Sequence, residues 1–201
     1  MENKKEYRII LGSASPRRKE LLEQIGVTFE VKVSGKEEVY HSTEAKEIVA
    51  ELALMKAENV ASEIPEEEKR SMIVIGSDTV VTMDGKILGK PADEADAKAM
   101  LTALQGRYHE VYTGIAVLCY DENGGCTTVN RASGTKVYVH EMSEEEILAY
   151  IATKEPMDKA GAYGIQGRFA AHIDKIDGDY YTVVGLPVAE VYQILKTFGA
   201  V

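Results

Sequence analysis

The chain has 201 residues, of which 45% are hydrophobic, and this is enough to bury a sizeable core within one domain. Its formal net charge of −10 excludes a general nucleic-acid-binding protein, because affinity for a phosphate backbone depends on clustered Lys and Arg. The opening segment MENKKEYRIIL is charged, and no apolar run reaches the roughly 18 residues of a membrane span. We therefore expect a cytoplasmic protein that binds neither nucleic acid nor membranes.

The chain has two cysteines, Cys119 and Cys126, too few for a secreted disulfide scaffold. They flank a turn at residues 121–125 and could face each other across a hairpin. The expected compartment favours two reduced thiols over a bridge.

Apolar runs of strand length alternate with amphipathic helical patterns in the first part of the chain, which indicates an α/β fold. We expect the first strand at Tyr7–Leu11 and the first helix at Pro16–Ile25, with Ser15 as its N-cap and Gly26 just past its end. A second helix is expected at Thr43–Ser62, closed by a proline and a charged stretch.

The middle of the chain predicts three short strands. A fully apolar strand is expected at Met72–Ile75, ending in the polar segment Gly76–Thr79. The strands Val80–Met83 and Lys86–Leu88 flank the dipeptide Asp84-Gly85, which is a strong hairpin signal.

The rest of the chain begins with a predicted helix at Ala95–Leu104, followed by β-favouring residues from Tyr108 to Val139. Ser143-Glu144-Glu145-Glu146 is a capping box that opens another helix. After a glycine-rich stretch, we expect a strand at Tyr180–Val184 and a final amphipathic helix opened by Pro187.

The loop between the first strand and the first helix is a candidate anion site. A helix N-terminus presents unpaired backbone N–H groups and a partial positive charge. Ser13, Ser15, Arg17 and Arg18 add hydroxyl and guanidinium donors around Pro16, where that helix begins. The alternative is an ordinary capped surface helix with two solvated arginines.

Lys56 is a second candidate because of its position on the second helix. At about 100° per residue it falls in the middle of an apolar stripe formed by Ala45, Val49, Leu52 and Val60. A lysine there either extends its ammonium out to solvent or meets an anion inside a cleft. The sequence leaves both outcomes open.

Asp78 is the third candidate, since it follows a fully apolar strand and precedes Thr79. Ligands of α/β sheets gather beyond the carboxyl ends of strands, where a carboxylate acts as a general base or binds Mg²⁺. A turn aspartate that satisfies its own backbone is the simpler explanation. Asp78 completes a phosphate-hydrolysis site only if it shares a pocket with the Ser13–Arg18 loop.

Five segments follow one another along the chain: GSASPRRKELL, VIGSDTVV, DGKILGKP, EPMDKAGAYGIQG and IDGDYYTVVGLP. They resemble the successive signature segments of the Maf family of nucleotide pyrophosphatases. Because the resemblance spans nearly the whole chain, it is far more specific than any single motif. Two departures are small: Ser77 stands where the family usually has Ala, and Ala14 lies in a variable position.

The resemblance implies hydrolysis of a nucleoside triphosphate between its α and β phosphates, with Mg²⁺ or Mn²⁺ as the divalent metal cation. It also implies one domain over residues 1–201, an elongated mixed α/β sheet with flanking helices and two lobes around a nucleotide-binding cleft, as in ITPase-like proteins. Asp78 matches the family's proton acceptor and a metal ligand. For a second acidic position after the second strand, Glu37 is the better match and Glu38 is the alternative.

The remaining matches concern the substrate. Within the dTTP/UTP subgroup, Arg17, Thr79 and Gln166 match the positions associated with substrate choice. The residues expected to face the phosphates are Ser13, Arg18, Lys56, Lys90 and Lys159. Lys159 is equally well explained as a structural lysine in a tight turn next to Asp158.

Gln166 is the residue that we expect to contact the base. Uracil and thymine present an N3–H donor between two carbonyl acceptors, and a side-chain amide supplies the matching acceptor and donor. Cytosine has these groups rearranged and should pair poorly. The alternative is an amide that caps a loop beside Gly164 and Gly167.

Two other functions stay open at this point. One is a nucleotide-binding regulator of septum formation that acts on a cell-division partner, with hydrolysis secondary. The other is a sugar-phosphate phosphatase that uses the same metal and base. A homodimer is compatible with each of them.

Overall fold

The computed structural model describes residues 6–201 of the chain. The charged opening segment, which contributed to the prediction of a cytoplasmic protein, includes residues 1–5, and these lie outside the described residues. Within residues 6–201, no helix has the length and apolar character needed to cross a bilayer.

In the described part of the chain, seven strands form one sheet. They are β1 (Arg8–Leu11), β2 (Glu30–Val31), β3 (Met72–Met83), β4 (Lys86–Leu88), β5 (Tyr108–Tyr120), β6 (Cys126–Val139) and β7 (Ile173–Asp177). Six lie in the order β2-β1-β3-β5-β6-β7, and β4 pairs with β3. β1 pairs parallel with β2 and β3, whereas β4 pairs antiparallel with β3 and β7 with β6. The predicted mixed α/β fold is therefore confirmed.

Six α-helices accompany the sheet within residues 6–201. They are α1 (Pro16–Gln24), α2 (Ala45–Ser62), α3 (Glu94–Leu104), α4 (Glu144–Ala152), α5 (Tyr180–Val184) and α6 (Val188–Phe198). The glycine-rich stretch after α4 forms short 3-10 turns, at Glu155–Asp158, Ala160–Ala162 and Arg168–His172.

The chain divides into two compact units. Unit 1 contains the described residues up to Asp78, together with Thr113–Ser133 and Gly185–Val201. Unit 2 contains Thr79–Tyr112 and Gly134–Val184. The division falls inside β3, β5 and β6.

In unit 1, helix α2 lies unusually close to the sheet. A Cβ added to Gly76 of β3 would lie 2.1 Å from the carbonyl oxygen of Ala53, and one added to Gly114 of β5 would lie 2.0 Å from that of Val49. The helix contributes Ala53 and Ala57 to its buried face. Small residues on both surfaces therefore allow the helix backbone to touch the strands.

Strand β3 is continuous from Met72 to Met83, so the predicted end of a strand at Ile75 is wrong. The polar segment that begins at Gly76 does not end the strand, because Gly76 has no side chain and so allows helix α2 to pack against it. The pairing of β1 with β3 stops at Leu11 and Ile75. Asp78 therefore lies within a strand, yet beyond the carboxyl end of β1.

The predicted strand at Tyr180–Val184 is also wrong, because these residues form helix α5. The Asp179 carboxylate accepts hydrogen bonds from the Thr182 backbone N at 2.8 Å and from its hydroxyl at 3.0 Å. This local cap outweighs the β-favouring side chains of the segment. The strand of this region, β7, precedes the turn at Gly178 instead.

Several local predictions are confirmed. The Asp84-Gly85 turn has φ angles of 50° and 75° and joins β3 to β4, with Met83 opposite Lys86. Both halves of the capping box formed by Ser143 and Glu146 are present. Cys119 is buried and Cys126 is exposed, and the two are not joined by a disulfide.

The core of unit 2 contains an aromatic cluster. The Phe169 ring lies 4.8 Å from that of Tyr163 and 5.1 Å from that of Tyr150, measured between centroids. His109 is 1% exposed, and its Nε2 lies 2.7 Å from the Tyr163 hydroxyl. Burial lowers the pKa of His109 to about 4, so its imidazole is neutral near pH 7.

We expect Gly76→Ala to lower the free energy of unfolding by about 1–3 kcal/mol, because the methyl group collides with the Ala53 carbonyl and overpacking of this kind is costly. The measurement is urea unfolding. Gly35→Ala is the matched control, since a Cβ there meets nothing within 4 Å, and it should change stability by less than about 0.5 kcal/mol. Equal effects of the two changes would contradict the close approach of α2.

His109 makes stability depend on pH. Its pKa is about 4 in the folded protein and 6.5 ordinarily, so the unfolded chain binds the extra proton between these values. The stabilisation is complete above pH 6.5 and is lost as the pH falls towards 4, by roughly 3 kcal/mol in all.

Glutamine at position 109 cannot titrate but can still hydrogen-bond to Tyr163. We therefore expect the stability advantage of the wild type over His109→Gln, measured by urea unfolding, to shrink between pH 7 and pH 5. A pH-independent difference would mean that His109 is not buried in its neutral form.

Candidate active site

The loop after β1 turns directly into helix α1. The buried Ser13 orders this loop, because its hydroxyl oxygen accepts hydrogen bonds from Ser15 N at 3.2 Å and from Arg18 Nη1 at 3.1 Å. Ser15 is the N-cap residue, as predicted, but its side chain makes no capping hydrogen bond. Ser13 therefore orders the loop before the helix and does not cap the helix itself.

Arg18 links the start of α1 to the segment before α6. Its Nε donates to the Gly185 carbonyl at 2.8 Å, and the Ser77 hydroxyl donates to the same oxygen at 3.1 Å. Burial lowers the pKa of Arg18, and the Asp78 carboxylate opposes that shift. Since arginine stays protonated in proteins, Arg18 supplies a fixed positive charge near Asp78 rather than a solvated one.

Lys56 forms the central ion pair of unit 1. Its Nζ lies 2.5 Å from Asp78 Oδ1 and 3.3 Å from Glu38 Oε2. The Lys56 and Asp78 side chains are 20% and 14% exposed, against 50% for Glu38. Of the two outcomes left open for Lys56, the structure shows contact with an anion, and that anion belongs to the chain itself.

A cavity of about 210 Å³ adjoins this ion pair and is lined by Ser13, Glu38 and Lys56. It is smaller than the roughly 300–1,000 Å³ of a pocket that holds a whole ligand, and its size suits one anionic group such as a phosphate. Its lining also includes three polar residues that sequence reasoning missed, Ser34, Lys36 and Asn59. Asn59 lies one helical turn after Lys56, so that spacing could have indicated it.

Two predicted residues of unit 1 stand apart from this network. Arg17 is half-buried in the first turn of α1, and Glu37 is exposed in the segment between β2 and α2. Within residues 6–201, neither side chain makes a hydrogen bond or an ion pair. The carboxylate that the structure brings to Lys56 is thus that of Glu38, the alternative to Glu37.

Three predicted residues of unit 2 lie on different elements. Thr79 follows Asp78 in β3 and is half-buried, and the alternation of a strand directs the two side chains to opposite faces of the sheet. Lys90 is exposed in the segment after β4, and Gln166 is exposed in the glycine-rich stretch. Both exposed side chains are available to a ligand.

Lys159 of unit 2 is held by its neighbours in sequence. Its Nζ donates to the Glu155 backbone carbonyl and to Asp158 Oδ1, each at 2.7 Å. The side chain is only 17% exposed. This geometry is that of the structural lysine in a tight turn.

In the described part of the chain, no group of three or more His, Cys, Asp and Glu side chains could hold a metal ion. Asp78 and Glu38 nevertheless present two carboxylates to a single cation, the Lys56 ammonium. Mg²⁺ usually takes one or two carboxylates and completes its shell with water and substrate phosphates. The pair therefore fits a divalent cation that arrives with an anionic substrate.

Comparison with known proteins places the chain in a family. The family described as Maf-like protein matches residues 8–198. The chain is 50% identical over 193 residues to a dTTP/UTP pyrophosphatase from Lachnoclostridium phytofermentans, covering 96% of each protein. It has the same identity over 193 residues to a dTTP/UTP pyrophosphatase from Bacillus cereus, covering 96% of this chain and 90% of that one.

Among solved structures, a HAM1 protein from Coxiella burnetii is 15% identical, with a TM-score of 0.47 over 96% of this chain and 100% of that chain. A likeness of this size supports no argument about function. The family match, in contrast, covers nearly every described residue. This protein therefore belongs to the Maf-like protein family.

Proposed function

We propose that this protein hydrolyses dTTP and UTP to the nucleoside monophosphate and pyrophosphate, as one functional domain over residues 1–201. Relatives that match nearly its whole length are named dTTP/UTP pyrophosphatases. In the chain itself, the observation that carries the proposal is the Lys56–Asp78 ion pair beside a cavity of phosphate size. The relatives' names favour hydrolysis over a regulator of septum formation.

Lys56 has the geometry to serve both Asp78 and a phosphate. An ammonium group has three N–H donors; Asp78 accepts from one of them, and Glu38 lies 3.3 Å away as an ion-pair partner. We assign a remaining donor to a phosphate oxygen in the adjoining cavity, next to the Ser13 hydroxyl. One cation then orients the base and the substrate together.

The remaining phosphate contacts come from cationic groups at the start of α1 and after β4. Arg17 lies in the first turn of α1, where the helix N-terminus favours an anion, and Arg18 supplies the fixed charge described above. Lys90 is exposed and is assigned to the phosphates as well. Lys159 already uses two of its donors within the chain, which supports a structural role more than a phosphate contact.

Asp78 is assigned as the general base. It takes a proton from a water molecule whose oxygen attacks the α-phosphorus. The new P–O bond forms as the bond between the α-phosphorus and the bridging oxygen breaks, and pyrophosphate leaves with that oxygen. A general base of this kind typically contributes roughly 10²–10⁴-fold to the rate.

We assign a divalent cation, Mg²⁺ or Mn²⁺, to the carboxylates of Asp78 and Glu38. Their shared contact with the Lys56 ammonium supports this choice over Glu37. When bound, the cation neutralises charge that develops on the phosphates. The Glu38 carboxylate lines the same cavity as Ser13, and the Asp78 carboxylate contacts Lys56, which also lines it.

We assign base recognition to Gln166, with Thr79 and Arg17 as further determinants of substrate choice. Gln166 is exposed, and its amide offers both an acceptor for N3–H and a donor for a carbonyl of uracil or thymine. The proposal requires no partner besides the nucleoside triphosphate. A cytoplasmic location, a homodimer and a cell-division partner stay predictions.

The proposal is tested by a turnover screen across all nucleoside triphosphates with Mg²⁺ and with Mn²⁺, in which the products are identified. We expect UTP to yield UMP and pyrophosphate. Orthophosphate as the product, or turnover confined to sugar phosphates, would instead identify the protein as a phosphatase.

Asp78→Asn should keep the fold and the affinity for nucleotide but reduce kcat by roughly 10²–10⁴-fold, because the amide keeps the shape and loses the basicity. Steady-state kinetics with UTP and a binding titration measure the two effects. Asp84→Asn is the matched control, since Asp84 lies in the β3–β4 turn and its carboxylate contacts Arg107. Near-normal kcat for Asp78→Asn would remove Asp78 from the mechanism.

The wild type should hydrolyse dTTP and UTP well above CTP and the purine triphosphates, and Gln166→Glu should erode that preference. A glutamate accepts from N3–H but cannot donate, so one carbonyl of the base loses its partner and faces a negative charge. Leaving such a group unpaired costs about 1–3 kcal/mol, which is roughly tenfold or more in kcat/KM. Cytosine, with its exocyclic amine, should gain relative to uracil.

The comparison of kcat/KM values for UTP, CTP, ATP and GTP separates two failures of this prediction. Equal wild-type activity on all four nucleotides would rule out the pyrimidine assignment. A selective wild type with an unaltered Gln166→Glu profile would move base recognition to Arg17, Thr79 or the backbone of the glycine-rich stretch.

A further inference from the structure

Gln166 lies in the middle of a loop that is fixed on both of its sides. We call the segment Tyr163–Arg168 the Gln166 loop. On one side, Gly164 N donates to the Tyr150 hydroxyl at 3.3 Å, and on the other, Arg168 N donates to Glu155 Oε2 at 3.1 Å. The exposed amide of Gln166 therefore projects from a backbone with two anchored ends.

Both anchors lead to the carboxylate of Glu155. Its Oε1 accepts a hydrogen bond from the Tyr150 hydroxyl at 2.9 Å, and that hydroxyl is the acceptor for Gly164 N. Burial and the bond to Glu155 both raise the pKa of Tyr150, so the hydroxyl keeps its proton and donates it. One half-buried side chain thus holds the loop directly through Arg168 and indirectly through Gly164.

The loop also lies in direct contact with this carboxylate. A Cβ added to Gly167 would lie 1.9 Å from Glu155 Oε1, and one added to Gly164 would lie 2.8 Å from Lys159 Cε. Lys159 in turn donates to the Glu155 backbone carbonyl. The two glycines that flank Gln166 are therefore needed for the backbone to approach Glu155 and Lys159.

The start of the loop is fixed independently of Glu155. The Tyr163 side chain is 5% exposed, its hydroxyl lies 2.7 Å from His109 Nε2, and its ring contacts Phe169. Loss of Glu155 should therefore make the part of the loop around Gln166 mobile, while Tyr163 stays packed in the core.

We propose that Glu155 is a positioning residue for base selection, which holds the Gln166 loop in the conformation that presents the amide to the base. The proposal rests on the proposed function, in which Gln166 contacts the base. Selection between uracil and cytosine requires that donor and acceptor be held in place before binding, because a mobile loop could adapt to either base.

Glu155→Gln is the informative change. An amide has one acceptor oxygen, so when that oxygen keeps the Tyr150 hydroxyl, its NH₂ group faces the Arg168 N–H and two donors oppose each other. We expect faster hydrogen exchange of the backbone in residues 163–168. We also expect the ratio of kcat/KM for UTP to that for CTP to fall by roughly tenfold.

Ser143→Ala is the matched control for lost stability. It removes the capping hydrogen bond of α4 in the same unit and should destabilise the protein by about 1 kcal/mol. The hydrogen bonds of Ser143 are with Glu146 at the start of α4 and not with the Gln166 loop, so we expect a lower Tm with an unchanged UTP to CTP ratio. The same ratio in Glu155→Gln and Ser143→Ala would overturn the proposal, because a merely structural residue lowers only the Tm.

Tyr150→Phe provides a second variant that keeps Glu155 and its bond to Arg168. It removes the Tyr150 hydroxyl and with it both the bond to Glu155 and the link to Gly164, so the ratio should fall in the same direction by a smaller factor. This variant supplies the test if Glu155→Gln does not fold. A wild type without preference for UTP over CTP would refute the base assignment to Gln166. A selective wild type whose preference survives both Glu155→Gln and Tyr150→Phe would refute this inference alone.

Discussion

The half-buried ion pair between Lys56 and Asp78 is the interaction on which the candidate site of unit 1 depends. A charge with so little exposure is costly unless it is paired, so Lys56 and Asp78 stabilise each other in this position. The pair can form only because α2 lies against β3, which Gly76 permits. Helix packing and the chemistry of the site are therefore consequences of the same close approach.

A second constraint orders the loop after β1, which we assign to phosphate binding. This constraint is the Gly185 carbonyl, which accepts two hydrogen bonds. Arg18 and Ser77 both donate to this carbonyl, so the loop after β1 and the strand that carries Asp78 are tied to one point of the backbone. Ser13 then accepts from Arg18 and lines the cavity. The Ser13 hydroxyl, the Lys56 ammonium and the Glu38 carboxylate line the same cavity of about 210 Å³, and fixed polar groups of this kind are the condition for electrostatic preorganisation.

Sequence reasoning succeeded where the determinants are local. The Asp84-Gly85 turn and the capping box at Ser143 depend on a few adjacent residues, and both were predicted correctly. It failed at Gly76, where a distant contact decides because helix α2 packs against the strand. It also failed at Asp179, where two local signals compete and the cap on α5 outweighs the β-favouring side chains. Single residues such as Lys56 and Asp78 were found from pattern and resemblance, but nothing local indicates that they bind each other.

The central claim is that water attacks the α-phosphorus with Asp78 as its base. The most direct test is hydrolysis of UTP in ¹⁸O-labelled water, with each product analysed by mass spectrometry. The account predicts one labelled oxygen in UMP and none in pyrophosphate, because the new bond forms to the α-phosphorus and the bridging oxygen leaves with pyrophosphate. Label in pyrophosphate would place the attack on the β-phosphorus, and release of labelled orthophosphate would place it on the γ-phosphorus. Either result would contradict the account.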